Sequence, residues 1–387
     1  MSSNTTARAM NYLVILLISL ALIAIIPIFT SNFAFASESE ESVDITQEDV
    51  DQNDEDSDED EDESDEDSDE ESDSEGENDD NDGGNFEEFP ESYREALEEL
   101  HDEHPSWKFE AKEVNVDFDT AVDTESEGSK SLVNPSEPKS WRANSDKRYD
   151  GYWYKAKRKT VAHFMDPRNF LNSKDIYQFM DQNYDSEAQT TDTVSDIIDG
   201  SFMEDGEPGG DYESYASCIQ DAGAEAGVNP NVLAAMIIME QGWDGSSLCT
   251  GKKKGYKGYY NFFNIGAWTT DSMSSVERGL WYAKGEGEGN TSYQRPWNSP
   301  YKAIVGGAEF YNENYISNDQ NTYYTKKFNV MNGSDSIGTH EYMTNVSGAL
   351  DEGRLVRKAY EDQEDLPVTF EIPVYDDMPD SKCELPD

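Results

Sequence analysis

Asn229-Pro230-Asn231-Val232-Leu233-Ala234-Ala235-Met236-Ile237-Ile238-Met239-Glu240-Gln241-Gly242 is the stretch on which the reading of this chain turns. Asn229 suits a helix N-cap, because its side chain accepts an orphan N–H, and Pro230 suits the first helical position, where no N–H is needed. Gly242 suits the stop, since a left-handed residue ends many helices. Val232–Met239 is apolar on every face, which predicts a helix inside a core. One carboxylate, Glu240, follows in the last turn. Burial and the negative end of the helix dipole both disfavour its charge. A carboxyl group so placed can stay protonated near neutral pH and act as a general acid. The same pattern also arises wherever a buried helix meets water, and these residues alone do not separate the two.

Downstream, the chain is polar and Gly-rich up to Gly258 and then reads Tyr259-Tyr260-Asn261-Phe262-Phe263-Asn264-Ile265-Gly266-Ala267. A short helix is predicted over Ser275–Lys284, and Arg295-Pro296-Trp297 reads as a loop. Ser299 and Pro300 open a helix with Ala303, Ile304, Gly307, Ala308, Tyr311 and Tyr315 on its inner face. Two adjacent glycines within it, Gly306 and Gly307, cost about 1 kcal/mol each against Ala, so close packing is expected there. At the end, Pro367–Tyr375 reads as an edge strand.

Upstream, a helix from about Tyr212 to Ala226 leads into the central one. Residues 204–210, rich in Gly, Glu and Pro, read as a linker. Before it come a helix with Val194, Ile197 and Ile198, ending at Gly200, and one from about Ser173 with Ile176, Phe179 and Met180. Pro90 opens another, with Tyr93, Leu97 and Leu100 on one face, and Pro105 closes it. Trp107, Phe109 and Ala111, then Val114, Val116 and Phe118, alternate with polar residues as one or two short strands. Residues 122–150 read as a polar loop, and no sequence repeats are evident.

The 387 residues carry a formal charge of −55. Ser37–Gly84 holds 28 Asp and Glu and no Lys or Arg, which leaves the remainder at −27. Such a surface repels nucleic acid and anionic membrane and argues against polyanion binding. The acidic segment has almost nothing to bury, so a disordered, extended tether is expected, without the regular spacing and Gly of a Ca²⁺ loop. Cys218, Cys249 and Cys383 are too few for a disulfide scaffold. Cys218 and Cys249 flank the central helix and either pair in an oxidising compartment or stay free. His101 and His104 lie one helical turn apart without supporting ligands, which fits a surface helix end rather than a metal site. No cofactor or metal is expected.

Residues 1–36 read as an export signal, with Arg8, an apolar run Tyr12–Phe29, and Ala34-Phe35-Ala36 as a cleavage site. The run is long for a signal, so an uncleaved membrane anchor is the alternative. Both place the rest of the chain outside the cytoplasm. The expected division is 1–36 signal, 37–85 acidic linker, 86–203 an N-terminal α+β region, 211–360 a catalytic domain and 361–387 an extended tail.

Glu240 together with Tyr259–Gly266 resembles the bacterial endo-β-N-acetylglucosaminidases that cleave peptidoglycan, glycoside hydrolase family 73. Further blocks agree in order and spacing: Phe164–Leu171 (FMDPRNFL), Arg295–Trp297 (RPW), Lys302–Phe310 (KAIVGGAEF), Gln320–Val330 (QNTYYTKKFNV) and His340–Asn345 (HEYMTN). The similarity covers about residues 86–380, and the first of these blocks places it with autolysin-type enzymes. The resemblance implies a mainly α (α+β) fold, a lysozyme-like catalytic domain with a cleft, preceded by a small α+β region. It implies Glu240 as the catalytic acid and Tyr324 as a cleft tyrosine. It also implies Asn261, Phe262, Phe263 and Asn264 as an aromatic wall. From residue type, Phe262, Phe263, Trp297 and Tyr324 offer flat apolar faces to sugar C–H surfaces, with core packing as the alternative for each ring. The family's second carboxylate has two candidates here, Asp271 and Glu277. The implied partner is the peptidoglycan glycan strand, met by a secreted, wall-associated monomer.

Cleaving a glycosidic acetal requires a proton for the leaving oxygen and stabilisation of oxocarbenium charge. Glu240 meets the first need. A second carboxylate, or the substrate's own N-acetyl group, meets the second. A lytic transglycosylase on the same fold uses one Glu as well and leaves a cyclised muramic end. A catalytically inactive wall-binding module is the third reading.

Overall fold

Pro90 and Pro105 bracket a helix in the computed structural model, which describes residues 86–387 apart from 150–151, 187, 210–211, 288–290, 332–336 and 361–365. The expected signal (1–36) and acidic linker (37–85) lie outside the described residues. This first helix, α1 (Glu91–Glu103), buries Tyr93, Leu97 and Leu100. A single strand follows, β1 (Lys108–Asp117). Phe118, expected to end the strand, instead opens α2 (Phe118–Glu125), which buries Phe118, Ala121, Val122 and Glu125. That spacing is helical, so the polar loop expected from residue 122 begins as a helix. The same stretch holds β2 (Leu132–Val133) and β3 (Arg148–Tyr149), which with β4 (Trp153–Lys155) form an antiparallel sheet of order β2-β4-β3.

In α3 (Arg158–Met165) and the 3-10 turn after it, the FMDPRNFL block serves as a clasp. Asp166 and Arg168 form a buried ion pair at 2.9 Å. Arg168 also donates to the Pro379 carbonyl at 2.9 Å, and Asp166 accepts the Cys383 N–H at 2.8 Å, which fixes the C-terminal tail. The helix expected from Ser173 is only a 3-10 turn, Ile176–Phe179. Its four consecutive side chains are all buried, and Met180 then pairs with Phe370. A continuing α-helix would turn some of those side chains away from the core.

The remaining helices are α4 (Thr191–Ile198), α5 (Tyr215–Ala226), α6 (Pro230–Gln241), α7 (Ser275–Ala283), α8 (Pro300–Asn314), α9 (Tyr323–Phe328) and α10 (Gly348–Tyr360). The central stretch is α6. Asn229 caps it by accepting from Asn231 and Val232. Val232–Ile237 is buried, and α6 packs against α4, α5 and α10. Burial of each large apolar side chain there contributes roughly 1.5–3 kcal/mol. Gly242 has the expected positive φ of 74°, but its ψ of 166° is extended rather than left-handed helical. The close packing expected at the α8 glycines is present: a Cβ on Gly307 would lie 2.2 Å from the Phe263 ring, and one on Gly306 2.1 Å from the Tyr293 carbonyl.

The tail strand, β5 (Thr369–Asp376), pairs in parallel with β1, from Lys108 opposite Thr369 to Glu113 opposite Val374. It is buried from Phe370 to Tyr375, as a parallel strand covered on both faces should be. One apolar cluster runs from Phe89 to Tyr375. Cys218, Cys249 and Cys383 are free thiols, the first two buried.

Candidate active site

At the end of α6 the buried helix meets the Asn261–Ala267 segment. Gln241 is buried there and donates through Nε2 to the Phe262 carbonyl at 2.8 Å and to Asn264 Oδ1 at 2.9 Å. Its own Oε1 accepts the Ser246 hydroxyl at 2.5 Å. With its oxygen held by Gln241, the Asn264 amide must turn its N–H₂ toward Glu240. It donates to Glu240 Oε2 at 2.5 Å and to the Glu240 carbonyl at 3.2 Å. Asn264 reaches this position from a left-handed backbone, φ 55°, which Asn tolerates better than most side chains.

Glu240 is half-buried. Burial raises its pKa to about 8, against the lowering effect of the Asn264 hydrogen bond. Two buried charges reach it as well: Glu352 raises its pKa further and Lys326 lowers it. These two form an ion pair, Lys326 Nζ lying 3.4 Å from Glu352 Oε2. Lys326 is also enclosed by aromatic faces, with its Nζ 4.4 Å from the Tyr342 ring, 4.6 Å from Tyr323 and 4.9 Å from Tyr311. Tyr342 feels the Glu240 charge too, and burial holds its own hydroxyl well above the ordinary tyrosine range. The arrangement can keep a proton on one carboxyl at the protein surface while a buried pair behind it sets how firmly it is held.

Sequence reasoning places the other candidates differently from the structure. Of the expected wall, Asn264 touches Glu240, whereas Asn261, Phe262 and Phe263 are buried. Phe262 packs against Tyr215 and Phe263 against Gly307 of α8, so both rings belong to the core that supports Glu240. Asn261 ties the segment together, donating to the Ile265 and Gly279 carbonyls at 2.8 and 3.1 Å. Trp297 is also buried, its indole N–H donating to the Tyr293 carbonyl at 2.6 Å. Tyr324 is 0% exposed, and its hydroxyl donates to the Met165 carbonyl at 2.6 Å, which corrects its reading as a cleft residue. Large flat rings in a tightly packed segment gain more from burial than from exposure.

Neither candidate for the second carboxylate is joined to Glu240. Asp271 is exposed. Glu277 is the third residue of α7 and closes a capping box, accepting the Ser274 hydroxyl at 2.7 Å and the Ser274 N–H at 3.1 Å. Those bonds lower its pKa below the ordinary range. Sequence reasoning missed Lys326, Glu352 and Tyr342. Lys326 and Tyr342 lie in the quoted TYYTKKF and HEYM blocks, but a lysine in a short polar-looking helix reads as solvated until its neighbours are known. Among the described residues, no group of three or more His, Cys, Asp or Glu could hold a metal ion.

No family model matches the chain. A bifunctional autolysin of Staphylococcus epidermidis is 28% identical over 235 residues, which make up 58% of this chain and 16% of the relative. A bifunctional autolysin of Staphylococcus aureus is 27% identical over 237 residues, 59% of this chain and 17% of the relative. The chain is similar to the staphylococcal autolysins. The match spans about a sixth of the length of these curated relatives. Among solved structures, S. aureus glucosaminidase B aligns over 70% of this chain and 94% of its own, with a TM-score of 0.50 and 23% identity. That likeness is one of fold: this chain has the mainly α, lysozyme-like architecture of a glucosaminidase domain.

Proposed function

We propose that this chain is an exported peptidoglycan hydrolase, an endo-β-N-acetylglucosaminidase that cuts the β-1,4 bond after N-acetylglucosamine with Glu240 as general acid. The observation that carries the reading is a carboxyl with its pKa raised to about 8, fixed by Asn264 at the end of a buried helix. The similarity to proteins named bifunctional autolysin supports the same reaction class. In this reading residues 211–360 carry the chemistry, and residues 1–36 direct export to the cell wall.

The proton moves as follows. Asn264 occupies Glu240 Oε2 with an N–H, so the acidic proton sits on the other oxygen. It passes to the glycosidic oxygen as the C1–O bond breaks, and the alcohol leaves neutral. The oxocarbenium charge at C1 is met by the oxygen of the sugar's own N-acetyl group; water then opens that ring at C1 and gives its proton back to the Glu240 carboxylate, which completes hydrolysis and restores the acid. Glu277, whose carboxylate is engaged by Ser274, and Asp271, which stands exposed, both suit this substrate-assisted route better than the nucleophile's role. The same observation favours a second reading, lytic transglycosylation, in which the muramic 6-hydroxyl replaces water.

End-group analysis separates them. Purified peptidoglycan digested by the protein, reduced with borohydride and examined by mass spectrometry should show reduced N-acetylglucosamine ends. Reduced muramic ends would assign a muramidase, and anhydro-muramic ends a transglycosylase. Either outcome overturns the proposal.

A further inference from the structure

The segment that holds Glu240 continues into a lobe with a different charge from the rest of the chain. Between Gly245 and Pro300 there are seven Lys and Arg against four Asp and Glu, in a chain with 29 basic and 84 acidic residues. Lys252, Lys254 and Lys257 are exposed on the Gly251–Gly258 loop, which closes on itself through a 2.8 Å bond from Gly258 N–H to the Gly251 carbonyl. Lys253 acts electrostatically on Glu277 at the start of α7.

On the same lobe, Arg278 of α7 lies against two half-buried indoles. Its guanidinium carbon is 4.2 Å from the Trp268 ring centroid and 4.5 Å from that of Trp281. No carboxylate is paired with it among the described residues, and its Nη1 is buried without a hydrogen-bond partner. Its charge is instead opposed by a second arginine, Arg295, which lies over the Tyr282 ring at 3.8 Å. An arginine held against two tryptophan rings, with no paired carboxylate among the described residues, is arranged for a ligand that brings an anion.

The box is fixed to the Glu240 site through the backbone. Trp268 follows Asn264 by four residues. Gly279 of α7 sits so close to the intervening segment that a Cβ would fall 2.8 Å from Ala267 Cβ, and Gly266 backs onto Tyr282. Asn261 bonds the segment to the Gly279 carbonyl at 3.1 Å.

We propose that Trp268, Arg278 and Trp281 form a subsite for a carboxylate-bearing substituent of the glycan, with the indoles covering its apolar part. The proposal rests on the glycan-cleaving reading above. Two sources share this chemistry in peptidoglycan: the acidic peptide on alternate sugars, and the lactyl carboxylate left when that peptide is removed.

The test uses the full chain and three preparations of one glycan: native, stripped of peptide by an amidase, and native with every carboxyl converted to its methylamide. Wild-type protein should show a KM about tenfold higher on the methylamide than on native glycan, the size of one lost charge-assisted hydrogen bond, with kcat little changed. Arg278→Met should raise KM on native glycan by the same factor and leave KM on the methylamide unaltered. Arg278→Lys, which keeps the charge but not the fork, should fall between. If KM on stripped glycan matches native, the subsite takes the lactyl carboxylate in place of the peptide's; if it matches the methylamide, it takes the peptide's alone. Should Arg278→Met fail to fold, the wild-type comparison of native and methylamide glycan still decides. Equal KM of wild type on those two, or equal loss by Arg278→Met on both, overturns the subsite and leaves the hydrolase reading standing. Failure of wild type to cleave native glycan overturns both.

Discussion

Asn264 donates to Glu240 at both ends of that residue, to the carboxyl at 2.5 Å and to the backbone carbonyl at 3.2 Å. The double contact locks the side-chain rotamer of Glu240 and leaves one of its carboxyl oxygens to hold the proton. Asn264 is in turn aligned by Gln241 at 2.9 Å, so the Glu240 carboxyl is positioned by two amides in series.

Removing that support should separate position from acidity. In Asn264→Ala, Glu240 loses a hydrogen bond to its charged form, so its pKa should rise further. We expect kcat to fall by roughly tenfold, the worth of one good hydrogen bond, while the alkaline limb of the pH–rate profile moves upward. A fall in kcat with an unmoved alkaline limb would show that Asn264 does not touch the acid in solution.

The buried pair behind Glu240 should tune it in opposite directions. Asn264, Glu352 and Lys326 all act on Glu240, while Tyr342 is influenced by it in turn. A general acid works while protonated, so wild-type activity should decline as pH rises through about 8. Glu352→Gln leaves Lys326 uncompensated and should move that decline to lower pH. Lys326→Met leaves Glu352 uncompensated and should move it higher. Rates on a soluble glycan between pH 5 and 10 read both shifts.

Linkage gives an activity-independent check on the same proton. The ordinary carboxyl pKa of 4.5 applies to the unfolded chain and about 8 to the folded one. The folded state therefore binds the extra proton between these values, and stability falls as pH rises from 4.5 to 8. Glu240→Gln cannot titrate. Its Tm should match wild type near pH 4 and exceed it near pH 9, as differential scanning calorimetry would show. Equal Tm values at both pH values would mean that Glu240 ionises normally.

How much of this was legible in the sequence depends on how local the cause is. The helix from Pro230 to Gln241, its cap, its buried faces and its terminal carboxylate follow from adjacent residues, and the structure reproduces them. So does the crowding at Gly306 and Gly307. The Phe262, Phe263 and Trp297 rings read from sequence as either cleft wall or core, and only α5 and α8 closing over them decides for the core. The turn at Ile176–Phe179 reads as a helix in the sequence for a related reason: its partners, Gly353 and Phe370, lie far along the chain. Lys326 and Glu352 illustrate the limit most sharply. Each looks like an ordinary surface charge until α9 and α10 bring them together inside a ring of tyrosines.

Packing at the α8 glycines should outweigh helix propensity. Gly307→Ala gains about 1 kcal/mol of propensity but drives a methyl to within 2.2 Å of Phe263. Overpacking of this kind typically costs about 1–3 kcal/mol, and here it would also displace the ring beneath the Glu240 segment. We expect a lower Tm and reduced activity together. An unchanged or raised Tm would show that the ring moves aside freely.

The most direct measurement is the activity of Glu240→Gln on purified peptidoglycan at pH 6, with circular dichroism confirming the fold. The amide matches the carboxyl in size and keeps a partner for Asn264, but it has no proton to give to the leaving oxygen. General acid catalysis contributes about 10²–10⁴-fold, so turnover should fall by at least that much while binding of glycan persists. A folded Glu240→Gln protein that retained more than about a tenth of wild-type turnover would contradict the assignment of Glu240 as the acid.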